Sequence, residues 1–157
     1  MTEEKKRIFY VDGGCSGNNQ RTIDKRIMIS AVSDEKGKIV KKTESSGGSN
    51  NIAEFQAIFD CLFFAKKQGY KKIEILTDSK NNTYWFHCNF EKLLKKKKLN
   101  DKKKVYEIML KIYELKKEID AVLKWIPREL NKAGFFIEEE NIKNNYCKFL
   151  INGNPQG

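Results

Sequence analysis

Asp12, Glu54 and Asp78 are the residues of this chain whose types and places could do chemistry together. Asp12 follows the apolar run at 8–11 and precedes three glycines within five positions. Asp78 closes KKIEILTDS at 71–79, and Glu54 stands near the start of a long apolar-striped segment. A carboxylate where a buried strand stops must be ionised and paired, and a metal ion is one natural partner. On the stretch around Asp12 alone, a turn aspartate bonding its own backbone is an equal reading. Carboxylates that converge repel one another unless cations bind between them. The chemistry therefore depends on whether the surrounding elements bring the three to one place.

The run IFYV at 8–11 reads as a strand buried on both faces, hence mid-sheet. Gly13-Gly14 is expected to end it in a turn that needs unusual backbone angles or the close approach of another segment. RIMISAVSD (26–34) and KIVKKTESS (38–46) read as two more strands, and the polar link containing Gly37 makes them a hairpin. After a loop at 47–51, where Asn50 or Asn51 can cap, a helix is predicted over 52–69. Ile52, Phe55, Phe59, Leu62 and Phe63 recur on it at spacings of three and four, and Gly69 stops it.

Residues 71–79 form a fourth strand, and a helix between strands implies a crossover, so this strand runs parallel to the first. Parallel neighbours put their carboxyl ends at one sheet edge, which would bring Asp12 and Asp78 together beside the start of the helix carrying Glu54. A short aromatic helix (81–90), an amphipathic helix (104–118), a fifth strand (121–127) and a closing helix (128–150) follow. The fold class is α/β, a five-stranded mixed sheet flanked by helices. A single domain over 1–157 is expected, with a frayed tail at 151–157.

The net charge of +10 is concentrated. Residues 95–104 hold seven lysines against one aspartate, a net +6, which leaves about +4 for the rest. Such a cluster reads phosphates, or else is a solvated lysine-rich face. No apolar run is long enough to span a membrane, and MTEEKKR lacks the apolar core of a signal peptide. Cys15, Cys61, Cys88 and Cys147 are scattered without a C-x-x-C pair, so a reducing cytoplasm is the expected setting.

The order of elements, with acids at Asp12, Glu54 and Asp78, resembles type 1 ribonuclease H. DGGCSGN (12–18) is similar to that family's D-G-[SG]-x-x-x-N turn, SNNIAE (49–54) to T-N-N-x-A-E, and TDS (77–79) to T-D-S. The resemblance runs from about Ile8 to Leu150. It implies cleavage of the RNA strand of an RNA–DNA hybrid, leaving 5′-phosphate and 3′-hydroxyl ends, by a monomer using two Mg2+ ions, with Mn2+ as a substitute. It further implies that Asp12 bridges the two ions, that Asp78 completes the water-activating one and Glu54 the leaving-group one. The backbone of Gly14, Cys15 and Ser16 would read the 2′-hydroxyls of RNA. Asn18, Ser49, Asn50 and Asn51 match positions that meet the hybrid, and 89–104 a basic handle that includes Lys95, Lys96, Lys97 and Lys98; Trp85 (with Tyr84) either lines a DNA-strand channel or packs against the sheet.

The sequence also departs from the family. The last helix usually carries a fourth acid at the end of N-x-x-[AC]-D, whereas Asn131-Lys132-Ala133-Gly134 here leads to Phe135. At 100° per residue Phe135, Ile142, Tyr146 and Phe149 share an inward stripe, which Glu138 and Glu139 flank. Glu138, with Glu139 second, is expected to reach back as the missing ligand; otherwise the site has three carboxylates. The loop 127–130 lacks the histidine that many members place there, and His87, the sole histidine, is expected to pack or face solvent. A catalytically weak or inactive nucleic-acid-binding module on the same fold is the competing reading. A proofreading exonuclease would carry D-x-E on the first strand, where this chain has D-G-G.

Overall fold

A computed structural model describes residues 6–16, 27–46, 50–87 and 102–139. Its elements are β1 (Arg7–Ser16), β2 (Ile27–Asp34), β3 (Ile39–Ser46), α1 (Asn50–Gln68), β4 (Lys72–Thr77), α2 (Lys80–Phe86), α3 (Lys102–Lys116) and β5 (Asp120–Trp125). A 3-10 turn, Arg128–Leu130, then leads into a helix over 132–139, here α4. The strands form one sheet in the order β3-β2-β1-β4-β5. β1–β2 and β2–β3 are antiparallel, and β1–β4 and β4–β5 are parallel. The expected mixed sheet, with β1 at its centre, is therefore the observed one.

The β2–β3 hairpin turns on chemistry local to Asp34. Its Oδ1 accepts from the amides of Lys36 and Lys38, each at 2.9 Å, and Gly37 takes a φ of +92°, which favours glycine. Side chains of β1 alternate across the sheet. Phe9, Val11 and Cys15 enter the larger core with α1 and α3, built on Ile52, Ile58, Leu62, Ile73, Ile75, Ile112 and Leu123. On the other face Ala133 and Ile137 of α4 cover Ile29 and Ala31. Asp60, buried under β3, is not part of the acidic site: Thr43 Oγ1 donates to it at 2.6 Å and Gln56 Nε2 at 2.9 Å.

Several expectations are corrected. β1 does not stop at Asp12 but continues through both glycines to Ser16, paired with β2 throughout. Neither Gly13 nor Gly14 has a positive φ, and at Gly13 close approach rather than a turn explains the glycine. α1 begins at Asn50, which places Asn50 and Asn51 inside the helix rather than at its cap and Glu54 beyond its first turn. On α1 the buried stripe is Ile52, Phe55, Ile58, Leu62 and Ala65, whereas Phe59 and Phe63 stack on its shoulder at 5.8 Å. β5 ends at Trp125, before Ile126 and Pro127. The closing helix begins at 132, after the 3-10 turn, rather than at 128. Of the basic handle, 89–101 lie outside the described residues and 102–104 open α3; the stripe residues Ile142, Tyr146 and Phe149 and the tail at 151–157 also lie outside them.

Candidate active site

Three elements end or begin at one place. Parallel pairing of β1 with β4 reaches only Tyr10↔Leu76, after which β1 continues beside β2 alone. Asp12, opposite Ala31, lies just past that point, and Asp78 directly follows β4. Glu54 arrives from α1, because the helix start rests directly on β1. A Cβ on Gly13 would lie 2.3 Å from the carbonyl carbon of Ala53 and 2.4 Å from the amide nitrogen of Glu54, so only glycine permits this seating. Ser30 Oγ pins the same turn by donating to Ala53 O at 2.6 Å. Asp12, Glu54 and Asp78 then offer ligand atoms that all lie within 4.8 Å of one another.

Burial first, and then neighbouring negative charge, raises Asp12 and Glu54. Burial, then the charge of Asp78, raises Asp12 from 3.8 to about 7, against lowering by the Gly13 amide and the Arg128 guanidinium. Burial and Asp78 likewise raise Glu54 from 4.5 to about 7, while hydrogen bonds from Ser79 and Asn82 favour its ionised form. Half-buried oxygens that repel this much form a ready cage for a hard divalent cation. They line an open cleft of about 440 Å³, with Arg128 and Glu138 at the same cleft.

Asn131 organises the far wall. Fully buried, it donates from Nδ2 to Val11 O at 2.9 Å and to Asp78 Oδ2 at 3.4 Å, while its Oδ1 accepts from the amide of Ala133. One side chain thus caps α4 and ties it to β1 and to an acid of the cluster. The cap and the small residues behind it let α4 settle close, and a Cβ on Gly134 would lie 3.2 Å from Asp12 Oδ2. Ala133 and Ile137 face the sheet, and Phe135 is 55% exposed. The inward stripe expected through Phe135 is therefore corrected: the inward face of α4 is set by the cap and by residues small enough to pack over Asp12.

Among the residues expected to meet nucleic acid, Gly14, Cys15 and Asn50 line the cleft; the Cys15 side chain is buried, so only its backbone is offered. Asn51 is exposed on the first turn of α1. Glu138 lines the cleft, but it stands outside the 4.8 Å group, and Arg128 Nη2 lies 3.4 Å from its Oε1. Glu139 is exposed. Asn18, Ser49 and Lys95–98 lie outside the described residues, as do the side chains of Ser16, Tyr84 and Trp85. His87 is held by the backbone of β5, its Nε2 3.1 Å from Leu123 O.

Three further residues bear on the site. Arg128 is a cation at the cleft, and Trp125 Nε1 donates to Asp78 O at 3.1 Å. Asn82, buried at 2% exposure, donates to Glu54 Oε2 at 3.4 Å. An arginine directly after Pro127 is a visible sequence signal for Arg128. Nothing local distinguishes Asn82 from any polar residue on a short helix.

Comparison with known proteins gives one family. The RNase H family model, described as RNase H, matches residues 4–145. A ribonuclease H of Clostridium botulinum (strain Hall) is 30% identical over 148 residues, 94% of each chain. Among solved structures, LC11-RNase H1, isolated from compost by a metagenomic approach, has a TM-score of 0.61 at 23% identity, covering 90% of this chain and 98% of that one. RNase H1 from the halophilic archaeon Halobacterium salinarum has a TM-score of 0.56 at 22% identity, covering 82% and 91%. LC11-RNase H1 in complex with an RNA/DNA hybrid aligns at 25% identity and a TM-score of 0.50, covering 80% and 88%.

Proposed function

The chain belongs to the RNase H family, and from that premise we propose that it hydrolyses the RNA strand of RNA–DNA hybrids, leaving 5′-phosphate and 3′-hydroxyl ends. The observation that carries this is the convergence of Asp12, Glu54 and Asp78 within 4.8 Å in an open cleft. An all-oxygen, mutually repelling donor set fits Mg2+, with Mn2+ as a substitute. Two such ions, when bound, would supply Lewis-acid stabilisation of phosphoryl oxygens and a more acidic attacking water.

The chain's own part is to hold and to select. Asp12 would serve both cations, with Asp78 completing one and Glu54 the other. Glu138 is the proposed fourth ligand, reaching in from α4 once it leaves Arg128. No protein nucleophile is required. Gly14 and Cys15 lie along the cleft, and their backbone, with that of Ser16, offers polar groups to 2′-hydroxyls, the feature that separates RNA from DNA. Asn18, Ser49, Asn50 and Asn51 are assigned to the hybrid's minor groove, Trp85 to the DNA strand, and Lys95–98 to phosphates.

Two observations favour a second reading, hybrid binding without turnover: an exposed phenylalanine holds the usual acid position and Glu138 pairs with Arg128. Labelled RNA–DNA hybrid, single-stranded RNA, duplex RNA and duplex DNA, each with Mg2+ or EDTA, separate the two. Metal-dependent cutting of the hybrid alone is expected. Binding without cutting supports the second reading, and wild-type cutting by Asp12→Asn would overturn the assignment.

A further inference from the structure

Two of the three acids are held by partners outside α2. Asp12 accepts from the Gly13 amide, and Asp78 is met by Asn131. Glu54 sits on a helix side chain with three rotatable bonds, and its hydrogen-bond partners are Ser79 and Asn82. Asn82 is the more telling of the two. It is only 2% exposed, in a position where packing alone would be served by an apolar side chain. Burying an amide is costly unless it is hydrogen-bonded. Its Nδ2 reaches Glu54 Oε2 at 3.4 Å.

A short relay joins this contact to the end of β4. The amide of Asn82 donates to Ser79 Oγ at 3.3 Å, and the amide of Ser79 donates to Thr77 Oγ1 at 3.1 Å. Thr77 is itself buried at 3% exposure. The segment 77–82 therefore contains Asp78 and also the two groups that hold Glu54. The spacing between two acids from different elements is set by one turn of chain.

We propose that Asn82 is the positioning residue for Glu54, orienting its carboxylate relative to Asp78 so that both present oxygen to the same cation site. The inference rests on reading Glu54 as a cation ligand. Groups that orient a ligand commonly govern affinity as well as geometry, with losses of about 10- to 100-fold when removed.

The test is calorimetric titration of the full chain with Mn2+, without nucleic acid. Asn82→Leu keeps the branched shape and the number of heavy atoms, at a larger volume, and removes the amide. It should weaken Mn2+ binding about tenfold or more while the metal-free protein melts near the wild-type temperature. The Mg2+ concentration for half-maximal hybrid cleavage should rise by a similar factor, with kcat at saturating Mg2+ changed less. In a Glu54→Gln background, adding Asn82→Leu should leave Mn2+ affinity where Glu54→Gln alone puts it. If Asn82→Leu does not fold, Asn82→Ser, too short to reach Glu54, takes its place. Wild-type Mn2+ affinity in a folded Asn82 variant overturns the proposal, as does an equal loss when Glu54 is already glutamine. A wild-type chain that cuts no hybrid would defeat the proposed activity, yet the Mn2+ titrations would still decide the role of Asn82.

Discussion

Gly13 and Ala53 meet backbone to backbone: a Cβ on Gly13 would lie 2.3 Å from the Ala53 carbonyl carbon. This approach seats the first turn of α1 on β1 and so brings Glu54 to Asp12. Gly13→Ala must push the helix away, because backbone atoms cannot rotate aside as a side chain would. Overpacking of this kind costs about 1–3 kcal/mol, occasionally more, and a misplacement of about 1 Å at a reacting site can cost about 100-fold in rate. Urea unfolding should show a lower midpoint, and hybrid cleavage should fall much further than the folded fraction does. Unchanged stability and rate would mean that the close seating is not needed.

The same pair marks what could and could not be read from the chain. The three antiparallel strands, the parallel crossover and the meeting of the three acids followed from apolar runs, turn residues and motif spacing, all of them local signals; the place of β5 at the sheet edge did not. The extent of β1 did not, because a glycine pair after a strand looks like a stop. Its reason is a helix far along the chain that no local pattern reveals. The inward face of α4 was misread for a related cause: an apolar stripe through Phe135 ignores that Asn131 fixes where the helix begins and that small residues must pack over Asp12. Asn82 was silent, since a buried amide has no periodicity; its meaning comes entirely from Glu54.

Proton and cation should compete at the acidic cluster. Asp12 and Glu54 are raised to about 7 from 3.8 and 4.5. For acids raised in the folded state, the contribution to stability is fully present below the unfolded values and is lost as pH rises through the folded ones. Without metal, the melting temperature should therefore fall between about pH 4 and pH 8, and Asp12→Asn should flatten that fall. Mg2+ should stabilise more at pH 8 than at pH 6, because at the lower pH protons must leave first. Thermal melts with Mg2+ and with EDTA across this range check both; a Mg2+ effect independent of pH would count against cation binding at these acids.

The lysines at 95–98 offer a prediction that does not depend on their conformation. Replacing all four with glutamine should weaken hybrid binding and flatten the plot of log affinity against log salt. The slope should fall by about 0.9 for each phosphate that is no longer neutralised, taking the B-form value. Cleavage at saturating substrate should change little, because the acids of the cleft remain. An unchanged slope would place these lysines in solvent.

The fourth carboxylate is the sharpest question the site poses. Phe135 is 55% exposed and cannot ligate, while Glu138 lines the cleft with Arg128 Nη2 3.4 Å from its Oε1. That pair is solvent-exposed on both sides, at 77% and 55%, so it is a weak restraint that a cation can displace. Glu139, one residue on, is also exposed but does not line the cleft. If Glu138 completes the site, Glu138→Gln should lower Mg2+-dependent hybrid cleavage by about tenfold or more and raise the Mg2+ requirement, whereas Glu139→Gln should behave as wild type. Arg128→Ala separates the two roles of the pair: it should cost hybrid binding if the guanidinium serves a phosphate, without raising the Mg2+ requirement. Wild-type turnover in both glutamine variants would leave a working site of three carboxylates, with Asp12, Glu54 and Asp78 sufficient in themselves.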